Sequence, residues 1–185
     1  MEEKLLFKVL SLLLDYPEGE FWELVKQKEE LVKELPRGEK LKPFLDWVEG
    51  KSERLLKEFY VATFDFSTKY TLYLTYHRYG DERERGEVLA KLKEVYLKEG
   101  LTPDRELPDY LPLILEFASL EHTEKGREIL TEYLKEVEKV HKNLKEDGNP
   151  YAHLFEVLLD TLRERETRDK GFPFEGTYPF KGSPR

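Results

Sequence analysis

The chain has 185 residues, of which 39% are hydrophobic, enough for one domain with a real core. Its 31 basic and 39 acidic residues give a net charge of −8, which argues against a general nucleic-acid binder, because phosphate affinity rests on clustered Lys and Arg. There is no cysteine, which excludes disulfides, thiolate metal sites and Cys nucleophiles, and no apolar run reaches the ~18 residues that span a bilayer.

The opening, MEEKLLFKVLSLLLDYP, is acidic at its start and lacks a small-residue cleavage site, so it reads as structure and not as a secretory signal. A cytoplasmic protein without direct membrane insertion is the simplest expectation. Leu5, Leu6, Val9, Leu10, Leu12 and Leu13 form a wide stripe at 3-4 spacing, which predicts a helix over 2–15. Pro17 disfavours helical geometry at Tyr16, and Glu18 and Glu20 favour a new N-terminus. The second helix then runs to about Leu35, with Phe21, Leu24, Val25, Leu31 and Val32 inward. After the breaker Pro36-Arg37-Gly38, a short helix carries Leu41, Phe44, Leu45 and Val48, and Gly50 closes it.

Ser52 and Glu53 open a fourth helix with Leu55, Leu56, Phe59 and Tyr60 inward. Asp65-Phe66-Ser67 reads as a stop and a new cap on Ser67. Residues 69–79 have the apolar density of a helix, broken by Gly80-Asp81. Another helix spans 82–99, with Val88, Leu89, Leu92, Val95 and Tyr96 inward, and ends at Gly100. Residues 101–108 are a loop. Asp109 is the expected cap of a helix that tolerates Pro112 in its first turn and faces inward with Leu111, Leu115, Phe117 and Ala118. Thr123 caps a helix over 124–146, and after the turn 147–150 a last helix runs over 151–168. The composition then changes to GFPFEGTYPFKGSPR, an extended tail that Phe172, Phe174, Tyr178 and Phe180 would dock. The expected division is a helical domain over 1–170 and a tail over 171–185. With no sustained period-2 alternation, the fold class is all-α, a single-domain bundle of about eight or nine helices.

Chemical signatures are few. The four histidines, His77, His122, His141 and His153, have no zinc-ligand spacing, and there is neither a phosphate loop nor a dinucleotide fingerprint. Acidic pairs are too abundant for any one of them to mark acid–base chemistry. No metal site and no enzyme activity are expected. What remains is a surface. Eight of the 24 aromatic residues fall between Phe59 and Tyr79, followed by Arg78, Arg83 and Arg85. Tyrosine buries its ring and keeps a polar handle. The stretch is therefore either a half-buried surface for a peptide or a Tyr-rich seam between helices with a solvated arginine rim.

Two long motifs in order, HRYGDERERG (77–86) and LPDYLPLILEF (107–117), together with LLDYPEGEFW and PYAHLFEVLLDTL, resemble the NarJ family, the nitrate reductase delta subunits. These are molybdenum-cofactor assembly chaperones within the TorD/DmsD-like maturation proteins. The resemblance covers most of positions 5–165. It implies a TorD-like all-helical fold and a cytoplasmic, non-catalytic chaperone. Such a protein would bind the apo catalytic subunit of a respiratory nitrate reductase, including its N-terminal peptide. It would hold that subunit competent for molybdenum cofactor insertion before membrane docking. No cofactor is bound stably; the molybdopterin guanine dinucleotide belongs to the client. The protein would be a monomer or homodimer. The alternatives are a chaperone for another oxyanion or sulfoxide reductase, or a nucleotide-binding helical protein.

On this resemblance Asp65 and Asp109 would meet cations of the client peptide, and Tyr60, Phe64, Tyr70 and Tyr73 its apolar side chains, with His77, Tyr110 and Glu116 as further peptide-site candidates. Tyr110 stands where the family motif commonly has His, so a group titrating near pH 7 is absent there. Arg78, Gly80, Arg83, Arg85 and Gly86 match the first long motif. Either the arginines grip an acidic client surface, or the glycines shape a turn and Arg83 and Arg85 pair with nearby Glu. Glu58 matches an acidic position of the wider group or stabilises its helix. The short aromatic tail departs from the longer acidic extension of many members and is itself a candidate for docking into the groove.

Overall fold

A computed structural model defines the architecture of residues 2–169, with side chains described for residues 2–164. The tail over 171–185, with Phe172, Phe174, Tyr178 and Phe180, lies outside the described residues.

The first helix, α1 (Glu2–Leu14), is the axis of the bundle. Leu6, Phe7, Leu10, Leu13 and Leu14 are almost wholly buried, and α1 packs against α8 (Leu111–Ala118) and α11 (Ala152–Asp169). A serine fits in this core because its hydroxyl has an acceptor: Ser11 Oγ donates to the Pro112 carbonyl at 2.6 Å. Leu5 is exposed, one residue outside the buried stripe.

The expected second helix is broken. Gln27, at φ −96° and ψ 20°, separates α2 (Glu20–Lys26) from α3 (Lys28–Glu34). The break lets α3 fold onto α4 (Gly38–Val48). The approach is close enough that a Cβ on Gly38 would sit on the carbonyl oxygens of Leu31 and Val32, so only glycine fits. Ser52 caps α5 (Glu53–Phe64) as expected, accepting from the Leu55 amide at 3.2 Å. The buried face of α5 is Leu56, Tyr60, Thr63 and Phe64. Leu55, expected inward, is 59% exposed because it sits about 100° round the helix from Leu56.

Residues 69–79 are not one helix. A 3-10 turn (Thr68–Tyr70), capped by Ser67 (amide of Lys69 to Oγ, 3.1 Å), leads through extended residues into the short α6 (Leu74–Tyr79). Long-range backbone pairing overrides the helical pattern. Tyr73 forms an isolated antiparallel bridge with Tyr110, in which the Leu74 amide donates to the Asp109 carbonyl (3.1 Å) and the Leu111 amide to the Leu72 carbonyl (2.8 Å). Gly80, at φ 55°, takes the chain into α7 (Arg83–Lys98).

The predicted helix over 124–146 is likewise two, α9 (Lys125–Glu132) and α10 (Leu134–Glu146), broken at the buried Tyr133. The two breaks bring the expected count to eleven α-helices among the described residues, with no strand among them. The all-α bundle stands.

Candidate functional site

The aromatic stretch divides into two roles. Tyr60 and Phe64 point inward, with 3% and 5% exposure. Their rings lie 4.9 Å apart, and Phe64 also meets Tyr151 of α11's leading turn at 4.9 Å. The buried hydroxyls of Tyr60 and Tyr110 are satisfied, whereas those of Tyr151 and Tyr79 have no hydrogen-bond partner among the described residues. The Tyr60 hydroxyl donates to the Leu14 carbonyl (3.0 Å), the Tyr110 hydroxyl donates to Asp15 Oδ1 (2.9 Å), and the two hydroxyl oxygens are 2.7 Å apart. Burial pushes both hydroxyls up, so they stay neutral. This half is the seam between helices, and Tyr60 and Tyr110 do not present their rings to solvent.

The other half walls an open cleft. Its lining is Phe64, Asp65, Phe66, Ser67, Thr68, Thr71, Tyr73, Tyr76, Arg85 and Leu107. Phe66 is 81% exposed, well beyond what a phenylalanine needs for packing. Beside it Asp65 is exposed, and its carboxylate has no ion-pair partner among the described residues. Tyr73 is half-buried, its ring 5.2 Å from that of Tyr110, and its hydroxyl donates to Glu106 Oε2 at 2.5 Å. Burial, then the Glu106 carboxylate, push the Tyr73 hydroxyl up.

Asp109 is not on this surface. It is 0% exposed, and Oδ2 accepts from the Thr75 amide (3.1 Å), the Thr75 hydroxyl and Arg85 Nη2 (3.3 Å). It caps the first turn of α6 from a distant segment, while Tyr110 occupies the cap position of α8 where Asp109 was expected. Arg85 completes the cluster, donating from Nε to Thr75 Oγ1 at 2.9 Å and lying 5.8 Å from the Tyr76 ring. The acid thus reaches the cleft through Arg85 and does not face a ligand's cation directly.

The first motif is mostly architectural. His77 Nε2 lies 2.8 Å from the Thr71 carbonyl, which fixes the ring nitrogen that carries the proton, and burial lowers its pKa. Arg78 bridges to Glu132 (2.9 Å) and Glu136 (2.7 Å), takes the Glu132 carbonyl at the α9–α10 break (2.8 Å) and covers the Tyr133 ring at 4.4 Å. Arg78 is therefore an internal clamp. Arg83 is exposed and makes no ion pair among the described residues, and Gly86 lies inside α7 with open space where a Cβ would be. Among the described residues neither Arg83 nor Arg85 pairs with a Glu, the structural alternative for the two arginines, and Arg85 takes Asp109 instead.

Tyr70 packs partly against the core, with Lys69 Nζ 5.4 Å from its ring. Glu116 is half-buried on α8 and is not among the cleft residues. Glu58 pairs with Arg54 at 3.1 Å on the exposed face of α5, the helix-stabilising alternative. Phe66, Tyr76 and Leu107 also line the cleft; the first two belong to the aromatic stretch without being among the individual peptide-site candidates, and Leu107 lies outside it. For Leu107 the signal was an apolar residue between charges and Pro108 in an otherwise polar loop. Among the described residues no cluster of His, Cys, Asp and Glu could hold a metal ion, and no helix is long and apolar enough to cross a membrane.

Comparison with known proteins gives a consistent result. The family described as nitrate reductase delta subunit matches residues 31–156. A probable nitrate reductase molybdenum cofactor assembly chaperone, NarJ of Bacillus subtilis, is 37% identical over 172 residues, covering 91% of this chain and 94% of the relative. NarJ of Escherichia coli K12, named as the same kind of chaperone, is 29% identical over 168 residues, covering 88% and 71%. The nitrate reductase-like protein NarX of Mycobacterium tuberculosis is 33% identical over 167 residues, 80% of this chain but 26% of that longer protein.

Proposed function

The chain belongs to the nitrate reductase delta subunit family, and from that premise we propose that it is a molybdenum-cofactor assembly chaperone for a nitrate reductase. Its role is non-catalytic. It binds the catalytic subunit before that subunit is complete, engages its N-terminal peptide and keeps it open for cofactor insertion until membrane docking. The molybdopterin guanine dinucleotide is the client's.

The observation that carries the peptide site is the pairing of Phe66 with Asp65 at the mouth of an aromatic cleft. An exposed aromatic ring beside an unpaired carboxylate suits a segment that alternates apolar and basic side chains. Tyr73, Tyr76 and Leu107 supply the apolar wall, and the Asp109–Arg85–Thr75 cluster holds that wall in place. Arg83 and Gly86, which the fold itself does not use, form a second client-facing patch on α7.

Calorimetric titration with a synthetic N-terminal peptide of the catalytic subunit tests the assignment. Phe66→Ser and Asp65→Asn each weaken binding by about tenfold, the loss of one good contact of ~1.4 kcal/mol, with unchanged helicity. Unaltered affinity in both variants would place the peptide elsewhere.

A further inference from the structure

The loop between α7 and α8 divides two clefts. On one side is the aromatic cleft; on the other is a cleft bounded by Leu89, Ala90 and Lys93 of α7 and by Pro103–Pro108. Tyr73 and Leu107 line both, so these two side chains are the partition. Both ends of the loop are pinned to one buried residue, Tyr96. The Leu101 amide donates to its carbonyl at 2.9 Å, and its hydroxyl donates to the Pro108 carbonyl at 2.6 Å.

Between these pins the chain is held loosely. No backbone amide from Thr102 to Leu107 makes a hydrogen bond among the described residues, and Pro103 has none to give. The one side-chain hydrogen bond from this stretch, among the described residues, is Glu106 to the Tyr73 hydroxyl. Leu107 is 45% exposed, so displacing it forfeits only part of a leucine's burial. The Leu107 carbonyl accepts from the Tyr110 amide at 3.1 Å and marks the hinge end of the segment; a stretch with exposed, unpaired amides between fixed ends is where local opening costs least.

We propose that residues 102–107 are a displaceable strap, and that release of Glu106 from Tyr73 moves Leu107 aside and joins the two clefts into one continuous groove for the client peptide. This rests on the assignment of the aromatic cleft as the peptide site. Tyr73 is the positioning residue: its ring is fixed by Tyr110 and the backbone bridge, and its hydroxyl decides whether the strap is closed.

The chain has no cysteine, so nitroxides can be placed at Arg105→Cys on the strap and Lys142→Cys on α10 in the otherwise intact chain. Electron–electron resonance then reads the distance distribution. The closed strap gives one narrow distribution. Glu106→Ala adds a displaced population without any client, and the synthetic peptide moves the whole distribution to it. Untethering also raises the peptide's association rate about tenfold, the population factor of one charge-assisted hydrogen bond. Glu87→Ala, which removes the same charge from the exposed face of α7, outside both clefts and the strap, leaves both unchanged. An unshifted distribution in Glu106→Ala overturns the strap, as does a peptide that binds in calorimetry without moving it. A peptide that does not bind at all contradicts the client-site reading instead, and the Glu106→Ala distribution still decides the strap.

Discussion

Two glycines of one motif behave in opposite ways. Gly80 sits at φ 55°, where a side chain is strained, so Gly80→Ala destabilises the fold by ~1 kcal/mol. Gly86 is helical, exposed and surrounded by open space, so Gly86→Ala stabilises it by about 0.5–1 kcal/mol. Urea unfolding of both variants checks this pair of signs, and a destabilised Gly86→Ala would reveal a constraint the fold does not show. His77 adds a pH effect. Burial holds its folded pKa below the unfolded value of about 6.5, so the unfolded state takes up the proton first as pH falls. There is no penalty above that value; it grows as pH drops through it and is complete below the folded pKa. His141, lowered by burial in the same way, contributes with the same sign. Stability measured between pH 7.5 and 5 therefore declines, and His77→Gln flattens part of that slope.

The helices show where local pattern decides and where distant partners do. Ser52, Ser67, Gly100 and the Pro112 turn were readable because caps and breakers act within a few residues. The breaks at Gln27 and Tyr133 were not, since apolar spacing runs through both. At Tyr133 the agent is Arg78, 55 positions earlier, which holds Glu132, Glu136 and the Glu132 carbonyl together. Removing it leaves two largely buried carboxylates unpaired, so Arg78→Ala costs about 3 kcal/mol or more. Arg78→Lys restores little of that, because a single ammonium cannot span the three acceptors. Thermal melts of the two variants against wild type measure it, and a near-native Arg78→Lys would mean that charge alone sufficed. Residues 71–73 were misread for the same kind of reason, their geometry being set by pairing with 109–111.

At the scale of the molecule, the aromatic stretch is divided between the seam of the helices and the wall of a cleft. Tyr60, Phe64 and Tyr79 are seam; Phe66, Tyr73 and Tyr76 are wall. Sequence alone could not sort them, because the sorting depends on where α11 and the 101–110 segment pack. Asp109 is the clearest case. As an acid at a motif position it read as a ligand for cations, and its burial against Thr75 and Arg85 is invisible without the fold. Because the apolar helical patterns all precede residue 170 in the sequence, deleting 171–185 is expected to leave thermal unfolding cooperative. A large fall in Tm would show that the tail contributes to the core.

As the proposed chaperone, this chain escorts an incomplete nitrate reductase subunit. Affinity capture of the chain from cells making the reductase, with mass spectrometry and metal analysis of what accompanies it, tests that most directly. The catalytic subunit is expected in the captured material, poor in molybdenum relative to the membrane-bound enzyme, and is expected to be lost in the Phe66→Ser variant. Capture without that subunit, or with a subunit already loaded and docked, would contradict that role.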